Sequence, residues 1–237
     1  MIIFNKVYKS YIILSLSLLI ACFASIENKL NAETLGKVDI GPAILHVDIL
    51  EFGHTIKTIN MPGLRADGTF MIWQGLCLKP SVTYGGKGST QVFNGGCGLG
   101  FYTPIGDKCS ITPAIGLGYT EFKTNINYKV APSVFILLEE EIQSFSPYIS
   151  LDATYCFYKG WRFVLSYQYV FSYSETKIKH MDTTKSRPKG SNYGFMVEYD
   201  LNEKWSLNLG GAYNTSLTKE KHGIRGYGAR FGFAYWF

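Results

Sequence analysis

Few residue groupings in this chain have the types and spacing to do chemistry. Two pairs could serve hydrolysis, His222 with Ser216 and His46 with Asp48. A histidine beside a hydroxyl or carboxylate can act as general base or orient a nucleophile. No motif surrounds either pair and loop histidines are common, so no catalytic site is expected. Cys77, Cys97, Cys109 and Cys156 match no zinc spacing, and neither metal nor cofactor is expected. Charges fall into two sets. Lys79, Asp152, Arg162, Glu198, Asp200, Lys204 and Arg230 are scattered through or beside apolar, aromatic stretches. Lys177, Lys179, Lys185, Arg187 and Lys189, against Glu175 and Asp182, give the 175–190 segment a net +3, and Lys219, Lys221 and Arg225 against Glu220 extend it. Such basic clusters can grip phosphates or acidic glycans, or merely touch anionic headgroups. Glu139, Glu140 and Glu141 are either a divalent-cation site or a solvated run.

The elements that carry these residues alternate with period two. In 161–174, Trp161, Phe163, Leu165, Tyr167, Tyr169, Phe171 and Tyr173 stand against Arg162, Ser166, Gln168, Ser172 and Ser174, which is the pattern of a strand with two unlike faces. The segments 193–201, 205–215 and 149–157 repeat it. The chain ends the same way, with Tyr227, Ala229, Phe231, Phe233, Tyr235 and Phe237 on one face and Gly228, Arg230, Gly232, Ala234 and Trp236 on the other. Eight strands are predicted, near 70–84, 91–103, 109–122, 146–157, 161–174, 192–201, 205–217 and 226–237. Val38–Ile49 reads as another, and parity asks for a partner, for which His54–Leu64 followed by a turn at Arg65-Ala66-Asp67-Gly68 is the candidate. The expectation is an all-β antiparallel transmembrane barrel of ten strands, with eight strands plus an N-terminal segment as the alternative. No second domain is expected within 33–237, whose core strands span 70–237.

Residues 1–32 read as an export signal, with Lys6 and Lys9 before an apolar stretch from Tyr11 to Ala24. Cleavage after Ala32 competes with lipidation at Cys22, which follows Leu19-Ile20-Ala21. Beyond the signal no apolar run approaches the ~18 residues of a membrane helix; the longest is Val134–Leu138. Losing 1–32 lowers the net charge from +5 to +3, too mild to imply nucleic acid. The four remaining cysteines read as packed thiols, with intermolecular cross-links as the alternative.

Connections alternate between tight (104–108, 158–160, 202–204) and longer, charged ones (123–143, 175–190, 218–225), the asymmetry of barrels with short periplasmic turns and long external loops. On this pleat Lys79, Asp152, Arg162, Glu198, Asp200, Lys204 and Arg230 point inward, as a charged channel lining or as an ion-pair network filling a narrow lumen. Gly96, Gly98 and Gly100 face inward beside Ala114, Gly116 and Gly118, leaving either a pocket or room for a bulky residue such as Tyr148 or Tyr102.

With terminal Phe237 preceded by Tyr235, Phe233 and Phe231, and with Gly98-Leu99-Gly100-Phe101-Tyr102 and Gly116-Leu117-Gly118-Tyr119, the chain resembles small Gram-negative outer-membrane barrels of the opacity, OmpA-transmembrane and OmpW-like group over 70–237. The resemblance implies an integral outer-membrane location and makes Phe231, Phe233, Tyr235 and Phe237 the signal read by the barrel-assembly machinery. Expected partners are outer-membrane lipid, lipopolysaccharide and a host or surface glycan. The expected role is a surface-exposed envelope component that stabilises the membrane or contacts polyanions. A small-solute channel is the alternative, and a lipid A-modifying enzyme a distant third.

Overall fold

The computed structural model describes residues 36–131, 134–178 and 183–237, with side chains described outside 126–137. The expected signal segment and Lys179 lie outside the described residues. Thirteen strand segments follow one another: β1 (Gly36–Glu51), β2 (His54–Trp73), β3 (Leu76–Lys87), β4 (Thr90–Phe101), β5 (Thr103–Ile105), β6 (Cys109–Ala131), β7 (Val134–Tyr158), β8 (Trp161–Phe171), β9 (Tyr173–Ile178), β10 (Thr184–Ser186), β11 (Lys189–Asp200), β12 (Trp205–Leu217) and β13 (Gly223–Trp236). β4 with β5, β8 with β9 and β10 with β11 are single staves interrupted at Tyr102, Ser172 and Arg187–Pro188. All belong to one antiparallel sheet in which β1 pairs with both β2 and β13. The result is a closed ten-stave barrel, the predicted fold and strand count.

Closure depends on the chain ends. β13 runs in register with β1 from Lys37 opposite Trp236 to Leu50 opposite Gly223. Beyond that ladder, Gly36 N donates to Phe237 O at 3.1 Å and Phe237 N to Gly36 O at 3.2 Å. No edge of the wall is left unpaired there, which removes the aggregation hazard of an aromatic last strand. On the outer surface the Phe237 ring packs against Phe70 at 5.8 Å between centroids.

Three boundaries differ from expectation. No turn occurs at 65–68; β2 continues to Trp73, and the reversal is Gln74-Gly75, with φ of 38° and 89°. Two positive φ values in a two-residue hairpin suit the twist of the flanking strands, a signal hidden by the non-glycine first position. Residues 70–73 therefore belong to β2, not to a strand 70–84. The segments expected as long loops are largely strand: 123–143 lies mostly within the β6–β7 hairpin, and 175–190 is mostly β9, β10 and the start of β11. Above the membrane charged residues are tolerated on the outer face, so the ladder continues through segments whose charge reads as loop.

The lipid-facing surface follows the pleat. Ile40, Ile44, Leu64, Val82, Leu99, Ile115, Leu117, Ile149, Leu165, Phe195, Leu209 and Phe231 are exposed. Trp73, Phe101, Tyr158, Trp161, Tyr199 and Trp205 mark the periplasmic end, and Tyr84, Phe145, Tyr173 and Tyr227 the outer end, two aromatic girdles at the two interfaces. Tyr148 fills the space beside the glycine wall: a Cβ on Gly98 would lie 2.7 Å from Tyr148 Oη, and one on Gly116 would meet the same ring. A prediction follows from this packing. Gly116→Val should destabilise the barrel by about 1–3 kcal/mol through overpacking. In the Tyr148→Ala background the same change should cost at least ~1 kcal/mol less. Urea unfolding in lipid vesicles reads both, and strictly additive losses would contradict the packing.

Candidate functional site

The interior is built from polar side chains that pair along the wall and, in three ion pairs among the described residues, between strands that are not neighbours. Near the periplasmic end Lys37 on β1 pairs with Glu198 on β11, and Glu198 also accepts from Arg162 Nη2 (2.8 Å) and Ser206 Oγ (2.7 Å). Arg162 also bonds Asp200, and its guanidinium lies 4.5 Å from the Trp236 ring centroid. Trp236 Nε1 donates to Ser206 Oγ at 2.9 Å. Higher in the wall Arg230 reaches Asp67 and, at 3.4 Å, Asp39, while Arg65 Nε donates to Asp67 at 2.6 Å. Lys79 on β3 meets Asp152 on β7.

Thus Lys79, Asp152, Arg162, Glu198, Asp200 and Arg230 lie in the interior, where Lys37, Asp39, Arg65 and Asp67 join them. These ten comprise five cations and five carboxylates, so the set is electroneutral. Sequence reasoning missed the last four because it placed Arg65 and Asp67 in a turn and assigned no facing to β1; alternation through Leu64 and Ala66 was the available signal. Lys204 is exposed in the 201–204 turn, outside the network.

Above the ion pairs the lumen turns apolar. Val47, Ile49, Ile59, Met61 and Phe122 are buried together, and Leu45, Val92, Ile142 and Ile224 pack against them. These residues come from β1, β2, β4, β6, β7 and β13, so they form a collar drawn from opposite walls. At the outer mouth, Lys57 donates to Thr124 Oγ1 at 2.8 Å and to the Asn125 carbonyl. Glu140 is buried with Oε2 unpaired, and burial raises its carboxyl above the ordinary glutamate range. The acidic run is split by the pleat: Glu141 takes part in a 3.5 Å pair with Lys123 on the outer face, whereas Glu140 points inward.

On the outer surface, His46 Nδ1 faces Asn60 Oδ1 at 2.6 Å and Nε2 faces Asp48 Oδ1 at 3.3 Å. Asp48 also accepts from Thr58 Oγ1 (2.6 Å) and Arg225 Nη2 (2.9 Å). Both His46 ring nitrogens thus have a polar side chain within reach, one from its own strand and one from β2. His222 packs edge-on against Phe52, ring centroids 4.2 Å apart, and no hydrogen bond joins it to Ser216 among the described residues. Of the basic residues, Lys185 is 78% exposed and sits 3.3 Å from Glu175. Arg187 lies over Tyr173, Lys189 and Lys221 are exposed, Lys177 is paired in register with Glu141, and Arg225 is bound to Asp48. Of the described cysteines, Cys77 is buried, Cys97 is exposed, and Cys109 and Cys156 are partly buried.

No family model matches the chain, and no curated protein matches it in sequence. Solved structures do match in fold. The outer membrane protease OmpT from Escherichia coli superposes with a TM-score of 0.58 at 12% identity, covering 89% of this chain and 99% of that one. Ail of Yersinia pestis matches at 0.46 and 9% over 87% and 100%, and Neisserial surface protein A at 0.45 and 13% over 87% and 100%. The chain has the fold of an outer-membrane β-barrel. The likeness to OmpT corrects the expectation that the chain is no enzyme, which rested on the lack of a motif around two histidines. A barrel that superposes on nearly all of this one is a protease, so the architecture gives no ground for excluding catalysis.

The interior network yields a direct test. Glu198→Gln leaves Lys37 and Arg162 without their shared carboxylate and should cost about 3–5 kcal/mol of unfolding free energy. A loss below ~1 kcal/mol in vesicle-reconstituted protein would contradict the assignment of these charges to one interior cluster.

Proposed function

We propose that the protein acts at the cell surface as a barrel with a closed lumen, holding outer-leaflet and external polyanions on its basic extracellular rim and so stabilising the envelope. The observation that carries this reading is the division of charge. The lumenal cations are balanced by lumenal carboxylates, and the collar of Met61, Phe122 and their neighbours occupies the path a solute would take. Lys185, Arg187, Lys189 and Lys221, by contrast, present their charges to solvent at the outer end. Exposed cations beside a surface rich in phosphate and acidic sugar favour anion contact, and the attraction weakens as salt rises.

The channel alternative needs a gap through the collar. A second reading, hydrolysis at the extracellular rim, rests on the likeness to the protease barrel. Cleavage of fluorogenic peptides by the refolded protein would carry it, and intact peptides would remove it. For the principal reading, purified protein in planar bilayers is expected to give no discrete conductance and to bind dextran sulfate with an affinity that falls as salt is raised from low to physiological. Stepwise conductance, or no salt-sensitive binding, would contradict it.

A further inference from the structure

At the outer end of the wall the staves break. β8 stops at Phe171 and β9 resumes at Tyr173, while β10 stops at Ser186 and β11 resumes at Lys189. Ser172 N donates to Pro188 O at 2.9 Å, tying the two interruptions together. Beside them opens a cleft of about 620 Å³, lined chiefly by Tyr119, Phe145, Tyr173, Glu175, Lys185 and Arg187. Register places Tyr119 opposite Phe145 and Phe145 opposite Tyr173. These rings form a continuous aromatic floor on the outer surface, and the Arg187 guanidinium lies 5.6 Å from the Tyr173 ring centroid. Lys185 and Arg187 against Glu175 leave the cleft with one net positive charge.

The chemistry of this lining is composite. Tyrosine rings offer flat apolar faces with hydroxyl tips, suited to the alternating C–H and O–H surface of a sugar. A guanidinium offers a fork for phosphate oxygens. Two residues below Tyr119 and four below Phe145, Leu117 and Ile149 are exposed on the lipid-facing wall, so the cleft continues downward into apolar surface. Lys123 and Glu141 stand above it. A ligand seated here has a phosphorylated sugar at the level of the girdle and hydrocarbon beneath. We infer that this cleft is a discrete binding site for one outer-leaflet glycolipid with a phosphorylated sugar headgroup, the aromatic floor taking the sugar and Arg187 with Lys185 the phosphate. The inference rests on the reading of the rim as an anion-binding surface and narrows it to one site and one ligand class.

The test uses full-length refolded protein in detergent, titrated with bisphosphorylated lipid A, with the same lipid stripped of phosphate, and with a soluble phosphorylated glucosamine disaccharide. Heat-modifiable gel migration reports folding of each variant. Arg187→Ala and Tyr173→Ala should each weaken lipid A binding by about tenfold. Lys159→Ala, which removes a cation from a periplasmic turn, should leave it unchanged. Wild type should prefer the phosphorylated lipid, and Arg187→Ala should lose most of that preference. Unchanged affinity in both cleft variants would overturn the site, and equal binding of the soluble disaccharide would overturn the lipid assignment. Dextran sulfate binding measured on the same samples separates the two readings. Its absence with cleft-dependent lipid binding intact removes the broader reading and leaves this one, whereas the reverse removes this one.

Discussion

A strand that crosses a bilayer has one face in hydrocarbon, and a charge placed there at mid-depth costs roughly 2–4 kcal/mol for Arg or Lys. That penalty organises the whole molecule. It drives the charges of the membrane-embedded wall inward, and the narrow interior of a ten-stave barrel then obliges them to meet one another. Lys37 reaches Glu198, Lys79 reaches Asp152, and Arg230 reaches Asp67 and Asp39. The Lys37–Glu198, Lys79–Asp152 and Arg230–Asp67 contacts link staves that are not adjacent, whereas Arg230–Asp39 joins neighbours, so the pairs tie separate parts of the wall together as well as neutralising it. The same inward sorting leaves Arg162 and Lys37 beside Trp236, on the inner face of the strand whose outer face carries Tyr235 and Phe237.

The interior side chains are largely engaged with one another, whereas the rim carries exposed charge. β6 and β7 extend well past their neighbours: β4 pairs with β6 only as far as Lys123, and β9 pairs with β7 only from Glu140 down to Phe145. Beyond those points, among the described residues, the two strands pair with each other. The polar groups at the mouth, Lys57 with Thr124 and the buried Glu140, sit on top of the apolar collar rather than within a through-going path. Where the wall leaves the membrane, Tyr173 of the girdle borders Arg187 of the rim.

Most of the architecture was legible in the sequence because lipid imposes an apolar outer face on alternate residues, and Trp161–Phe171 and Tyr227–Tyr235 carry it without interruption. The inward charges on those strands followed from the same pattern. Legibility failed where the physical constraint lapses. Gly68 and Arg65 suggested a turn, yet they lie inside β2, where glycine makes room for the Phe70 ring and Arg65 has a carboxylate two residues away on the same face. The extensions of β6, β7 and β9 lie where charged residues such as Lys123, Glu139, Glu140, Glu141, Glu175 and Lys177 cluster, which made them read as loops although their backbones pair as strands. The breaks at Ser172 and Pro188, and the cleft beside them, depend on register between distant segments. The residues that could catalyse were legible as types only: His46 and Asp48 do meet, but the acceptor at Asn60 that occupies the second ring nitrogen comes from another strand.

The central claim is that lumenal charges stabilise the closed barrel by pairing across it. A double-mutant cycle on Lys79 and Asp152 measures this most directly, with Lys79→Met, Asp152→Leu and their combination unfolded by urea in lipid vesicles. Pairing predicts that the double variant loses at least ~1.5 kcal/mol less than the sum of the single losses. Additive losses, within about 0.5 kcal/mol, would show two independent charges and contradict the account.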